Sequence, residues 1–67
     1  MTKKEIKVLS KLQARNYELT DYFKENGNKE VANEYISERV AINRAMYSIG
    51  YEWNYAKSEF EKVVEND

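Results

Sequence analysis

Residues 32–63 read ANEYISERVAINRAMYSIGYEWNYAKSEFEKV and carry the pattern from which the fold is predicted. Ten residues follow one another there at alternating spacings of three and four, and nine of them are apolar or aromatic. They are Ala32, Tyr35, Arg39, Ile42, Met46, Ile49, Trp53, Ala56, Phe60 and Val63. This spacing is typical of a helix that packs along one seam against another helix. Arg39 is the charged residue of the seam.

The bulk composition limits the classes of protein to consider. A chain of 67 residues forms one small domain, and such a domain usually needs disulfides, a metal or oligomerisation to supplement its core. There is no cysteine and no histidine, which excludes disulfides and removes the commonest metal ligand and general base. We therefore expect a homodimer with no metal, no cofactor and no catalytic residue, and not an enzyme.

Hydropathy and charge point to a cytoplasmic protein. No apolar run approaches 18 residues, and no hydrophobic segment follows the basic start, so neither a membrane span nor a signal peptide is expected. Residues 1–16 hold five basic side chains and one acidic, whereas residues 50–67 hold two basic and five acidic. This asymmetry suggests that the two ends pair, within one chain or between two.

Capping signals predict a first helix over residues 3–25 and a turn at 26–28. Thr2 and Glu5 have the spacing of a capping box. Gly27 can take the left-handed conformation that closes a helix, and Asn28 can cap the next one. Since the turn is short, we expect an all-α protein built on an antiparallel helical hairpin.

The first helix has a matching seam at residues 5, 8, 12, 15, 19 and 22. A hairpin folded about Gly27 places opposite seam members at one level. The pairs are Val8 with Met46, Leu12 with Ile42, Leu19 with Tyr35, and Arg15 with Arg39.

Two arrangements are open for the chain beyond Gly50. The seam crosses Gly50 without a change of phase and no capping residue stands beside it, which favours one helix over residues 29–65. Ordinary helix lengths favour a break, with helices over 29–49 and 52–65 in a three-helix bundle. A long helix would need a second copy to cover its overhanging aromatics. A third helix would instead pack on the stripe formed by Ile6, Leu9, Phe23, Ile36 and Val40.

Aromatic residues supply the candidate interaction surface. Tyr47, Tyr51 and Tyr55 follow at intervals of four, with Trp53 and Phe60 close by. Aromatic side chains are enriched at the centres of protein interfaces. In a three-helix bundle some of them would instead be core or turn contacts.

Charged residues give two weaker candidates. Arg15 and Arg39 form a polar layer in the seam. This layer pairs with neighbouring glutamates, accepts a carboxylate or phosphate from a partner, or fixes the register of a hairpin or dimer. Lys3, Lys7 and Lys11 form a basic face that could contact phosphates or be simply solvated. The row Glu30, Glu34 and Glu38 is interpreted as a solvated face.

Three segments resemble small uncharacterised helical proteins of phages and mobile elements in AT-rich Gram-positive bacteria. They are KKEI at 3–6, ENGN at 25–28 and IGYEW at 49–53. The resemblance implies a phage or prophage setting and transfers no functional residue. We expect a non-enzymatic module that binds a protein partner. The alternatives are a nucleic-acid-binding accessory that uses the lysine row, and a small inhibitor of a host protein.

Overall fold

The computed structural model describes residues 1–64 as a helical hairpin followed by a β-hairpin. The elements are α1 (Lys3–Glu25), α2 (Lys29–Ser48), β1 (Tyr51–Asn54) and β2 (Glu59–Lys62). The predicted helical hairpin is confirmed, but the chain is not all-α. The predicted helix end at residue 65 lies outside the described residues. Within them, neither helix combines the length and the apolar content that a membrane crossing requires.

Local sequence signals form both ends of α1. Thr2 Oγ1 accepts a hydrogen bond from the Glu5 amide at 3.1 Å, and the Glu5 carboxylate accepts one from the Thr2 amide at 2.8 Å. Hydrogen bonding to the Thr2 amide lowers the pKa of Glu5. At the other end Gly27 has φ +76°, and the Asn28 amide donates to the Phe23 carbonyl at 2.8 Å. The helix therefore stops in a Schellman motif, and Asn28 opens α2 at once.

Gly50 ends α2, so the predicted continuous helix over residues 29–65 does not extend past this glycine. Its φ is +91° and its amide donates to the Tyr47 carbonyl at 3.0 Å. Its own carbonyl accepts from the Val63 amide at 2.9 Å. This last bond joins the chain leaving α2 to the returning strand. Over residues 51–62 the long second helix and the third helix are therefore both wrong.

The sequence of the β-hairpin alternates with a period of two. In β1 the aromatic residues Tyr51 and Trp53 alternate with polar ones, and in β2 Phe60 lies between two glutamates. Aromatic side chains are enriched in strands. Trp53 lies opposite Phe60, and Tyr51 opposite Lys62. Trp53 and Phe60 also belong to the helical seam predicted over residues 32–63. Their spacing therefore fits both a helix and one face of this hairpin. The turn is held by the Lys57 amide, which donates to Asn54 Oδ1 at 3.1 Å.

Polar side chains of α1 line much of the interior. The buried apolar residues are Ala32, Met46 and Phe60, and the buried polar ones are Ser10, Gln13, Asn16 and Thr20. The predicted seam of α1 is wrong, because Val8 is 60% exposed and Leu12 43% exposed. The stripe containing Ile6, Leu9 and Phe23 is half-buried instead.

Hydrogen bonding explains why a polar face can point inward. Ser10 Oγ donates to the Ile6 carbonyl at 2.7 Å. Gln13 Nε2 donates to the Arg39 carbonyl at 3.0 Å and to Asn43 Oδ1 at 2.8 Å. A buried polar group with such a partner costs little, whereas one without a partner costs about 1–3 kcal/mol. The face of α1 is thus set by partners on α2 and on its own backbone.

Candidate protein-interaction cleft

Tyr17, in the middle of α1, holds the β-hairpin against the helices. Its ring stacks on Trp53 with centroids 5.6 Å apart and planes 19° apart, and it meets the Tyr55 ring edge-on at 5.5 Å. Its hydroxyl is hydrogen-bonded to the Tyr55 hydroxyl at 3.1 Å and accepts from Asn43 Nδ2 at 3.4 Å. These contacts orient two of the aromatic residues that were predicted to form an interaction surface.

Arg39 packs on the same tyrosine. Its guanidinium carbon lies 4.1 Å from the Tyr17 ring centroid, which is a cation–π contact. Its Nε is buried and has no hydrogen-bond partner among residues 1–64, so the ring face is its neighbour instead. Arg15 is exposed, and Gln13 is the residue that bonds to the Arg39 carbonyl. The structure therefore does not bring Arg15 and Arg39 into one buried layer.

A cleft of about 450 Å³ lies between α2 and β1. Its lining is mostly apolar and comprises Asn43, Arg44, Tyr47, Ser48, Glu52, Trp53 and Tyr55. Tyr47 is 64% exposed and Tyr55 is 72% exposed. Arg44 and Glu52 add one charge of each sign. An apolar concave surface with a few polar groups is typical of a binding site.

The five predicted interaction residues have different positions. Tyr47, Trp53 and Tyr55 line the cleft. Tyr51 is half-buried at the start of β1. Phe60 is only 4% exposed and contacts the Trp53 ring edge-on at 4.9 Å. Phe60 is therefore a core residue and contributes to the cleft only by supporting Trp53.

The predicted basic face lies beside β2. Lys3, Lys7 and Lys11 are exposed and line a groove of about 400 Å³ between the start of α1 and the hairpin. Glu59 lines the same groove. One acidic residue of the C-terminal half thus lies next to the basic N-terminal row and offsets part of its positive field.

The contact with Tyr17 alters the pKa of the Tyr55 hydroxyl. The hydrogen bond with Tyr17 raises the pKa of the Tyr55 hydroxyl, and the electrostatic interaction with Tyr17 and partial burial act in the same direction. Arg39 acts weakly against them. The Tyr55 hydroxyl is therefore neutral at physiological pH and can exchange hydrogen bonds with a partner at the edge of the cleft.

Tyr17 and Arg44 were not among the predicted site residues. The helical neighbours of Tyr17, at positions three and four away, are small or polar: Gln13, Ala14, Thr20 and Asp21. No apolar periodicity marks it, and its role arises only when the hairpin folds back. Arg44 lines the cleft for the same reason, since β1 forms the opposite wall.

Comparisons of the chain with protein-family models, with curated proteins and with solved structures gave no match. No relative is therefore at hand whose function could be transferred to the helical hairpin and its appended β-hairpin. What the chain binds is inferred from the geometry of the cleft.

Proposed function

We propose that this chain is a non-enzymatic protein-interaction module that binds a partner protein through the cleft between α2 and β1. The observation that supports this function is the exposure of Tyr47 and Tyr55 on either side of Trp53. Trp53 and Tyr55 are oriented by Tyr17 before any partner arrives. Aromatic anchors of this kind dominate binding energy at protein interfaces, and their prior ordering lowers the entropic cost of association.

The polar groups of the cleft support binding rather than catalysis. Ser48 is the serine of the lining. Its Oγ donates a hydrogen bond to the Ala45 carbonyl of its own helix at 2.6 Å. The sequence has neither histidine nor cysteine to activate a nucleophile. Arg44 and Glu52 can instead recognise charges on a partner.

The cleft is tested by capturing partners from the lysate of a Gram-positive bacterium. Wild type and the Tyr22→Ala control are expected to retain the same proteins, because Tyr22 is a comparably exposed tyrosine outside the cleft. A variant with both Tyr47→Ala and Tyr55→Ala is expected to lose them. Circular dichroism verifies that each variant folds. If the double variant captures the same proteins as wild type, the cleft is not the binding site.

The proposed phage or mobile-element setting rests on the sequence resemblance. In such a setting, the protein bound by the cleft would be a host protein that the chain inhibits. The identity of the captured protein distinguishes an inhibitor from a structural partner. Loss of the host protein's activity on addition of the purified chain supports the inhibitor. Unchanged activity in the bound state contradicts it.

The homodimer stays a prediction with weaker grounds. One of its two reasons was the need to cover Trp53 and Phe60, and Phe60 is covered within one chain. The other reason, the small size of a domain without disulfides, still applies. Light scattering over a concentration series tests it. A mass that stays at 8.0 kDa excludes the dimer, and twice that mass supports it.

A further inference from the structure

The outer edge of β1 carries unpaired backbone groups. In an antiparallel ladder, hydrogen-bonded and non-hydrogen-bonded residue pairs alternate. Gly50 and Val63 are a hydrogen-bonded pair. The amides and carbonyls of Tyr51 and Trp53 therefore point away from β2. Among residues 1–64, no hydrogen bond uses these outward groups. A strand edge in this state is a template for pairing with another strand.

The edge of β2 differs in that one of its outward backbone groups is bonded to α1. By the same alternation the Phe60 amide points outward from β2, and it donates to Ser10 Oγ on α1 at 2.9 Å. The β1 edge borders the cleft at Glu52 and Trp53, with Arg44 and Tyr47 of α2 on the far wall, whereas Tyr51 lies outside the lining. The fold therefore attaches the β2 edge to α1 at Phe60 and leaves the β1 edge at Trp53 beside the aromatic lining.

We infer that the cleft receives an extended, basic segment of the partner, which adds to β1 as a third, antiparallel strand. This inference rests on the proposed function and specifies the conformation and charge of what is bound. Backbone hydrogen bonds to Tyr51 and Trp53 supply affinity, as in other strand additions. Side chains on the inner face of the added strand enter the cleft beside Tyr47 and Trp53, which selects apolar residues at alternate positions.

The outer face of the hairpin explains the preference for basic residues. Strand alternation places Glu52, Glu59 and Glu61 on the hairpin face opposite Trp53 and Phe60. Asn54, on the same face, donates to Glu61 Oε2 at 3.1 Å. Glu52 also borders the cleft, and Glu59 also borders the groove beside the lysine row. A residue opposite Glu52 on an added strand lies with its Cα about 4.5 Å away, where an opposite charge stabilises and a like charge destabilises. Lysine or arginine at the outward positions fits this face.

The same charges disfavour a second copy as the occupant. Antiparallel pairing of two β1 strands through the backbones of both Tyr51 and Trp53 sets Glu52 opposite Glu52 of the second copy. It also joins two acidic faces into one sheet, which like-charge repulsion opposes.

The probe is a capped peptide of alternating Lys and apolar residues, Ac-Lys-Val-Lys-Leu-Lys-Val-Lys-NH₂, titrated into the full chain. Trp53 is the only tryptophan and reports on binding by its fluorescence. Paired residues of antiparallel strands share a face, so the apolar residues of the probe pair with Tyr51 and Trp53. The amides and carbonyls of these apolar residues then point toward β1. N-methylation of the apolar residues is expected to abolish saturable binding, whereas N-methylation of the lysines changes the affinity by no more than about twofold.

Charge variants and amide exchange complete the test. Glu52→Lys is expected to weaken the affinity about fivefold or more. Glu52→Gln is the milder variant and is expected to weaken it about twofold. Glu34→Lys makes the same charge change as Glu52→Lys at an exposed position of α2 outside the cleft, and is expected to change the affinity less than about twofold. Hydrogen exchange of the Tyr51 and Trp53 amides is expected to slow when the peptide binds.

Three outcomes would overturn the inference. They are an absence of peptide binding, equal binding of the two methylated peptides, and unchanged exchange of the Tyr51 and Trp53 amides. Slow exchange of those amides without peptide, with a mass that doubles with concentration, would assign the edge to a second copy instead. If strand addition fails while Tyr47→Ala with Tyr55→Ala still loses captured proteins, the proposed function stands without it.

Discussion

The Phe60 amide donates a 2.9 Å hydrogen bond to the Ser10 hydroxyl, and the two buried residues lie 50 positions apart in the sequence. The same hydroxyl donates to the Ile6 carbonyl at 2.7 Å, so it is used as both acceptor and donor. One side chain of α1 thereby attaches β2 to the helical hairpin. This contact and the stacking of Trp53 on Tyr17 together hold the β-hairpin, which forms one wall of the cleft.

Replacing Ser10 with alanine is expected to destabilise the fold by about 1–3 kcal/mol, because the buried Phe60 amide loses its acceptor. Urea unfolding followed by Trp53 fluorescence measures the effect. Ser48→Ala is the matched control, since that hydroxyl is exposed and bonds only to its own helix. Equal stability of the two variants would show that the Ser10 contact is not needed to hold the hairpin.

Gly50→Ala separates the observed fold from the continuous helix by the sign of its effect. In a helix interior the change would stabilise by about 1 kcal/mol. At φ +91° an alanine Cβ meets no atom within 4 Å, so the cost is one of backbone conformation, about 1–2 kcal/mol of destabilisation. Thermal unfolding measures it, and Gly27→Ala at φ +76° is expected to behave alike. If Gly50→Ala instead stabilised the protein, the result would contradict the observed turn and favour the continuous helix.

Gln13 and Asn43 are expected to be energetically coupled through their 2.8 Å hydrogen bond. Gln13→Leu and Asn43→Leu should each cost about 1–3 kcal/mol. The first leaves the half-buried Asn43 Oδ1 without its donor, and the second leaves the buried Gln13 Nε2 with only the Arg39 carbonyl as acceptor. The double variant should cost less than the sum by about 0.5–3 kcal/mol. A double-mutant cycle by urea unfolding measures the difference. Gln13→Leu combined with Ser48→Ala is the control, and additivity in both cycles would contradict the coupling.

Alkaline pH is expected to weaken the contact between Tyr17 and Tyr55. The pKa of Tyr55 is raised in the folded state, so its contribution to stability is complete below the ordinary tyrosine pKa of about 10 and is lost as pH rises through the folded value. Tyr55→Phe should therefore show a smaller loss of stability above pH 10 than wild type. Unfolding midpoints at a series of pH values test this, with Tyr22→Phe as the control for removing a hydroxyl. Parallel pH profiles of wild type and Tyr55→Phe would contradict it.

Features that depend on neighbouring residues were predictable from the sequence. The capping box of Thr2 and Glu5, and the turn at Gly27 and Asn28, rest on hydrogen bonds between residues at most five positions apart. The helical hairpin follows from these signals. Tyr47, Trp53 and Tyr55 were predicted as interaction residues from aromatic enrichment at interfaces and from a helical spacing. The helix does not extend past Gly50, yet the three residues line the cleft together.

Only the tertiary structure decided which face of α1 points inward and which conformation the chain takes after Gly50. Gln13 is buried because Arg39 and Asn43, 26 and 30 positions away, accept its hydrogen bonds. A glycine is tolerated within a helix at modest cost and also favoured at its end, so Gly50 alone cannot indicate which applies. Its conformation is settled by the bond from Val63 and by the stacking of Trp53 on Tyr17. Local patterns cannot report such contacts, because their free energy appears only when distant segments meet.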